Sequence, residues 1–141
     1  MDTLAQYTSW VIEACAKGQP FTIWVKPDTR VPVMYIKDAA RATVQLAAAP
    51  VEQIKTVTYV IDGQKPTPSA QDLAEAVWAK LPEAQITFCP DLDIQRMLDR
   101  FLPLDDRNAR QEWGWEPTYT LERMVEDVLE EVRTHPQRYS A

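Results

Sequence analysis

One histidine, two cysteines and, ahead of the acidic last helix, two close pairs of carboxylates are the first candidates for acid–base, nucleophilic or metal chemistry. Their spacing argues against each use. His135 stands beside Pro136 near the C-terminus, in a stretch that reads as a frayed tail, so a Ser-His-Asp or Cys-His arrangement has no well-placed base. A zinc site of the usual kind needs clustered His and Cys, and Cys15 and Cys89 lie far apart in the sequence; no metal is expected. Asp91 with Asp93 and Asp105 with Asp106 are sequence neighbours, which does not show the sugar-sized gap that glycosidase chemistry requires. Caps and solvated turns are their expected roles. The two cysteines read as reduced thiols of a cytoplasmic protein.

The glycines exclude a second class of chemistry. Gly18, Gly63 and Gly114 are the only three, and no two share a motif. A dinucleotide-binding G-x-G-x-x-G and a phosphate-cradling P-loop both need clustered glycines so that the backbone can approach the phosphates closely. The aromatics are more suggestive. Trp113-Gly114-Trp115 sets two of the five tryptophans around a glycine turn, either as a packing corner under the last helix or as a ligand-stacking platform. A net charge of −6 lacks the basic footprint of a nucleic-acid binder. No apolar run approaches the ~18 residues of a membrane span, and no signal peptide is visible at the N-terminus.

The elements that must position these residues follow from periodicity and punctuation. With 141 residues, a single domain over 1–141 is expected, burying roughly 68% of its unfolded surface. A helix is expected over 2–17, with Leu4, Tyr7, Val11, Ala14 and Cys15 on one face and Gly18 as its C-cap. Strands are expected at 21–25, 31–36, 56–61 and 85–89. Asp38 is expected to cap a helix that closes before Pro50, and Thr67-Pro68 to start another that carries Leu73, Val77 and Leu81. Short helices follow at 91–102 and from Asp106 to Trp113, stopped by Gly114. Thr120 then caps a strongly amphipathic last helix with Leu121, Met124, Val125, Val128, Leu129 and Val132 inward. Strands alternating with helices give an α/β fold, a small sheet with flanking helices. Ligands in open α/β sheets approach the carboxyl ends of strands, which draws attention to the loop, strand and helix start between Lys26 and Asp38.

That stretch also carries a resemblance. Lys26-Pro27-Asp28-Thr29-Arg30-Val31-Pro32-Val33-Met34-Tyr35-Ile36-Lys37-Asp38-Ala39, followed by Arg41-Ala42-Thr43, resembles the C-terminal, substrate-binding half of short-chain-type L-threonine 3-dehydrogenases. These are relatives of the NAD-dependent nucleotide-sugar epimerases and dehydratases. Ala109-Arg110-Gln111-Glu112-Trp113-Gly114-Trp115-Glu116-Pro117 and its following helix resemble the closing signature of the same extended short-chain dehydrogenase group. The resemblance implies hydride transfer from a secondary alcohol to NAD in a full-length member. The family's Rossmann half, with its glycine fingerprint and catalytic Tyr-x-x-x-Lys, has no counterpart here: four residues after Tyr7, Tyr35, Tyr59 and Tyr119 stand Val11, Ala39, Gly63 and Arg123. No catalytic and no cofactor-binding residue is therefore expected in this chain. Candidates for substrate contact are Tyr7, Arg30, Met34 and Tyr35. Tyr7 matches the tyrosine of a Gly-Thr-Thr-Asp-Tyr-like segment, with Leu4, Ala5 and Gln6 in place of its polar residues. Arg30 lies one residue from the position where epimerases place a phosphate-meeting arginine. Arg100-Phe101-Leu102-Pro103 stands where relatives tend to carry a tryptophan. The expected partner is a Rossmann half supplied separately. The alternative is a free-standing binding or self-assembly module, with Tyr7, Trp10 and Val11 of the first helix as the surface of a homo-oligomer.

Overall fold

The structure, a computed structural model, describes residues 6–139. The chain gathers into two compact units: unit 1 comprises Met1–Val31, Pro68–Phe101 and Leu121–Ala141, and unit 2 comprises Pro32–Thr67 and Leu102–Thr120.

Unit 1 holds the sheet. Its first helix, α1 (Tyr7–Ala16), buries Tyr7, Val11, Ile12 and Cys15. Leu4 and Ala5 lie outside the described residues. Gly18 adopts φ +69°, and the N–H groups of Gly18 and Gln19 donate to the carbonyls of Cys15 and Ala14, which closes α1 in a left-handed C-cap. Strand β1 (Phe21–Ile23) pairs in parallel with β2 (Ile86–Phe88), Phe21 opposite Ile86 and Ile23 opposite Phe88. The ladder runs on through Cys89 N–H to Ile23 O and Asp91 N–H to Trp24 O, each at 2.9 Å. Helix α3 (Ala70–Lys80) buries Leu73, Ala74 and Val77. Its cap is Ser69, not Thr67: Ser69 Oγ accepts from Asp72 N–H while the Asp72 carboxylate accepts from Ser69 N–H, a capping box that outcompetes the Thr-Pro start. Helix α4 (Leu92–Leu98) is capped by Asp91, and α6 (Leu121–Thr134) buries Leu121, Met124, Val125 and Val132. Helix α6 packs against α1 and α3, and α1 also packs on β1. The apolar side of α1 is thus consumed by the core. Of the residues expected on a self-association surface, Tyr7 and Val11 are buried and Trp10 is half-buried.

Unit 2 is organised by helices and side-chain clamps. It contains α2 (Ile36–Ala48), a 3-10 turn (Val51–Gln53) and α5 (Arg107–Trp113). Ala42, Ala109, Trp113 and Trp115 are its buried centre, flanked by Met34, Leu46, Ile54, Tyr59 and Ile61. Gly114 closes α5 at φ +70°, and Gln45 Nε2 donates to the carbonyls of Trp113 and Gly114 at 2.9 and 3.0 Å. Two expected strands are absent. Residues 31–35 form extended coil and Ile36 already belongs to α2, because Pro32 lacks the N–H a ladder needs; the one bridge nearby among the described residues is Arg30 with Ser69, in unit 1. Residues 56–61 are also coil, without a partner strand among the described residues. The fold is α/β, and β1–β2 is the sheet the described residues contain. Among them no helix is long and apolar enough to cross a membrane.

Candidate functional site

The loop after β1 builds a cleft in unit 1. Pro27 O and Thr29 O accept from Gln71 N–H at 2.8 Å and Ala70 N–H at 2.9 Å, so the loop is laid across the start of α3. With Asp72 N–H on Ser69 Oγ and Ser69 N–H on the Asp72 carboxylate, all four free donors of that helix start are used. A helix N-terminus is a ready anion site only while its donors are open, and this one is closed. Gln95, buried on α4, ties the other side. Its Oε1 accepts from Lys26 N–H at 2.8 Å and from Thr29 Oγ1 at 3.0 Å, and its Nε2 donates to Asp99 Oδ1 at 2.6 Å. Lys26, Asp28, Arg30, Gln95, Asp99 and Phe101 line the resulting cleft of about 270 Å³. Arg30 sits 3.5 Å from Asp72, both about half exposed, and the Ser69 hydrogen bonds, first of all its N–H, hold the Asp72 carboxyl below its ordinary value. The cleft therefore offers two cations, two anions and one exposed aromatic face, a lining suited to a small polar, zwitterionic or carboxylate-bearing molecule.

The four residues expected at a substrate are placed differently from one another. Arg30 lines this cleft. Tyr7 is 1% exposed and packs edge-on against Trp24 at 6.0 Å, and burial pushes its phenol up to about 12. It is not among the residues that line the cleft. Met34 and Tyr35 belong to unit 2. Met34 packs on the tryptophan core. Tyr35 precedes α2, with its ring 4.6 Å from that of Tyr119 and Lys37 Nζ 5.9 Å above it.

Several carboxylates prove structural. Asp38 was expected as the cap of α2, but that helix starts at Ile36 and Asp38 sits in its first turn, fully buried. Its carboxylate accepts from Thr118 N–H, Thr118 Oγ1 at 2.7 Å, Tyr119 N–H at 3.0 Å and the Arg41 guanidinium. Burial pushes its pKa up, but these hydrogen bonds outweigh it and the net value lies below the ordinary one. Asp106 is likewise buried, between Lys65 and Arg110, and its net shift is also downward. Glu112 takes the Lys55 and Thr56 N–H groups at 2.7 and 3.0 Å, Thr56 Oγ1 and the Tyr59 hydroxyl; the Thr56 hydroxyl leads in holding it down to about 2. Asp91 caps α4, Asp93 pairs with Arg96, and Asp105 pairs with Arg107. His135 lies 3.2 Å from Glu131. Both cysteines are free, and among the described residues no three His, Cys, Asp or Glu gather as metal ligands would.

The tryptophan corner is core. Trp115 is fully buried, donates Nε1 to Asp62 O at 3.2 Å and carries the Arg41 guanidinium at 4.9 Å over its ring. No open stacking platform remains there. The glycines are equally occupied: Gly18 and Gly114 end helices, and a Cβ on Gly63 would lie 2.5 Å from Val33 O. None stands where a helix begins, so these residues do not fit the pyrophosphate of NAD. Sequence reasoning missed Gln95. Its one local signal was a glutamine three residues before buried Leu98, on the inward face of α4.

No protein-family model matches the chain. It is 36% identical over 124 residues to the mitochondrial L-threonine 3-dehydrogenase of Bos taurus, a match that covers 87% of this chain and 33% of that protein. Among solved structures, a GalE-like L-threonine dehydrogenase from Cupriavidus necator superposes with a TM-score of 0.85 at 31% identity, over 94% of this chain and 42% of that one. A UDP-glucuronic acid 4-epimerase from Bacillus cereus shares the fold at a TM-score of 0.74 and 17% identity, over 92% of this chain and 40% of that one. The chain thus spans about a third of the length of the curated relatives it matches.

Proposed function

We propose, from the premise that the chain is an extended short-chain dehydrogenase relative of the threonine dehydrogenase kind, that these residues are the substrate-side part of such an enzyme and that turnover needs an NAD-holding half besides them. The observation that carries this reading is the pairing of two shares: the match runs over 87% of this chain, yet over only 33% of the bovine relative. The spent donors at the start of α3, the three occupied glycines and the missing Tyr-x-x-x-Lys all support it. NAD would supply the hydride acceptor from the other half. This chain would supply the cleft at Lys26, Arg30, Asp99 and Phe101, whose mixed charge suits a small amino acid such as the threonine of the relatives' name. Two free thiols suit a reducing compartment, the cytoplasm in this reading.

Calorimetric titration of the purified chain with NAD tests the first half of the reading. No heat at micromolar NAD is the expected result, and micromolar binding would overturn it. The alternative of a free-standing self-assembly module is favoured by the exposed apolar side chains of unit 2, among them Ile36, Val44, Val51 and Val57. Sedimentation at high concentration separates the two, since the substrate-side reading expects a monomer.

A further inference from the structure

Trp10 and Phe21 are half-buried aromatics that the proposed function does not use. Trp10, Glu13, Ala14 and Lys17 recur at helical spacing along α1 and its C-cap, so they share one side of the helix. Together with Pro20 and Phe21 they line an open cavity of about 330 Å³, wholly within unit 1. Trp24 braces both rings. Its centroid stands 5.9 Å from that of Trp10, edge-on, and 5.8 Å from that of Phe21. Trp24 itself meets the buried ring of Tyr7 edge-on at 6.0 Å. Rings wedged in this way form a fixed wall, which a ligand need not order on binding.

The polar side of the lining is equally specific. The last carbonyls of α1 are engaged, since Glu13 O, Ala14 O and Cys15 O accept from the N–H groups of Lys17, Gly18 and Gln19. The charged groups of the lining are the Glu13 carboxylate and the Lys17 ammonium, 2.6 Å apart in an i, i+4 pair. Both side chains are partly exposed, so water screens the pair and opening it costs little. A ligand with a single charge would leave one of the two uncompensated. A ligand with both charges on neighbouring carbons exchanges one ion pair for two, its ammonium on Glu13 and its carboxylate on Lys17. The remaining space, between an indole, a phenyl ring and a proline, suits one further aromatic ring.

We propose that this cavity is a binding site for the zwitterion of a free aromatic α-amino acid, its two charges on Glu13 and Lys17 and its ring between Trp10 and Phe21. The site does not depend on the function proposed above, and it shares no lining residue with the cleft at Arg30.

The test titrates L-phenylalanine into the isotope-labelled chain while two-dimensional NMR follows the Trp10 indole N–H and the amides of Lys17 and Phe21. Saturation with a Kd of about a millimolar is the expected result for so small a ligand. L-phenylalaninamide and N-acetyl-L-phenylalanine each keep one charge and should bind about threefold more weakly or worse. Lys17→Gln, at the rim, should erase the preference for L-phenylalanine over its amide. Ala14→Leu fills the cavity and should weaken binding roughly tenfold, with helix content unchanged by circular dichroism. If Ala14→Leu does not fold, Lys17→Gln decides alone. Absence of a saturable shift at roughly ten times the expected Kd would overturn the proposal. Equal affinity for the two singly charged derivatives would overturn it as well, in favour of a plain apolar pocket. So would shifts confined to the cleft at Arg30, or L-threonine moving the Trp10 signal with the same affinity as L-phenylalanine.

Discussion

Replacing Asp38 by alanine should destabilise unit 2 strongly. The carboxylate is 1% exposed and accepts from two backbone N–H groups, Thr118 and Tyr119, from Thr118 Oγ1 and from Arg41. Hydrogen bonds to a charged acceptor contribute about 1.5–3 kcal/mol each. Arg41 is 36% exposed on its side chain and can return to water, and Thr118 is itself exposed, so the full sum is not lost. A loss of about 3 kcal/mol at pH 7 is expected, dominated by the two orphaned N–H groups. At a urea m-value of about 2 kcal/mol/M this moves the midpoint by about 1.5 M. Tryptophan fluorescence reads the transition, since Trp113 and Trp115 form the core of the same unit. The sign with pH follows from the depressed native pKa. The stabilisation is complete above the unfolded value near 4 and fades as pH falls through the native one. The gap between wild type and Asp38→Ala should therefore narrow below pH 4. A loss under 1 kcal/mol at pH 7, or a gap that widens on acidification, would refute the reasoning.

Three further outcomes are expected. Glu112, held down to about 2, should keep its proton off well below the ordinary carboxylate range, and Glu112→Gln should flatten the acid limb of stability between pH 4.5 and 2, measured by urea melts across that range. Gly63→Ala would set a Cβ 2.5 Å from Val33 O and 2.6 Å from Met34 Cα, both backbone atoms that cannot turn aside, and should cost about 2 kcal/mol or more in thermal or urea unfolding. Alkaline titration of tyrosine absorbance should show a step near pH 12, and Tyr7→Phe should remove it, because burial pushes the Tyr7 phenol up to about 12.

What the sequence discloses here is what local physics decides. The buried faces of α3 and α6 were legible because a helix writes its inward side at every third or fourth residue, and the ends of α1 and α5 because glycine takes φ near +70°. The cap of α3 moved from Thr67 to Ser69, since only Ser69 has an acidic residue three positions on to complete the box. The strands at 31–36 and 56–61 were misread for a shared reason. β-propensity describes a surface that fits a sheet, and a sheet needs a neighbour that neither segment has among the described residues. The roles of Asp38, Gln95 and Glu112 were illegible because each is fixed by partners that lie more than fifty residues away. The family resemblance rested on the 26–43 and 109–117 stretches; of the residues it singled out, Arg30 lines a cleft of unit 1 and Tyr7 lies in the core.

The division of the chain has a consequence for how it is made. The polypeptide leaves unit 1 after Val31, returns at Pro68, leaves again after Phe101 and returns at Leu121. During synthesis β1 emerges long before β2, so its parallel ladder waits for the whole first segment of unit 2 to be translated. Unit 2 in turn lacks Trp113 and Trp115 until its second segment appears, and unit 1 lacks α6 until later still. Neither unit can be completed before the chain has passed through the other, so the two do not fold one after the other. No single cut yields either unit whole, so recombination or proteolysis can transfer or destroy the pair only together.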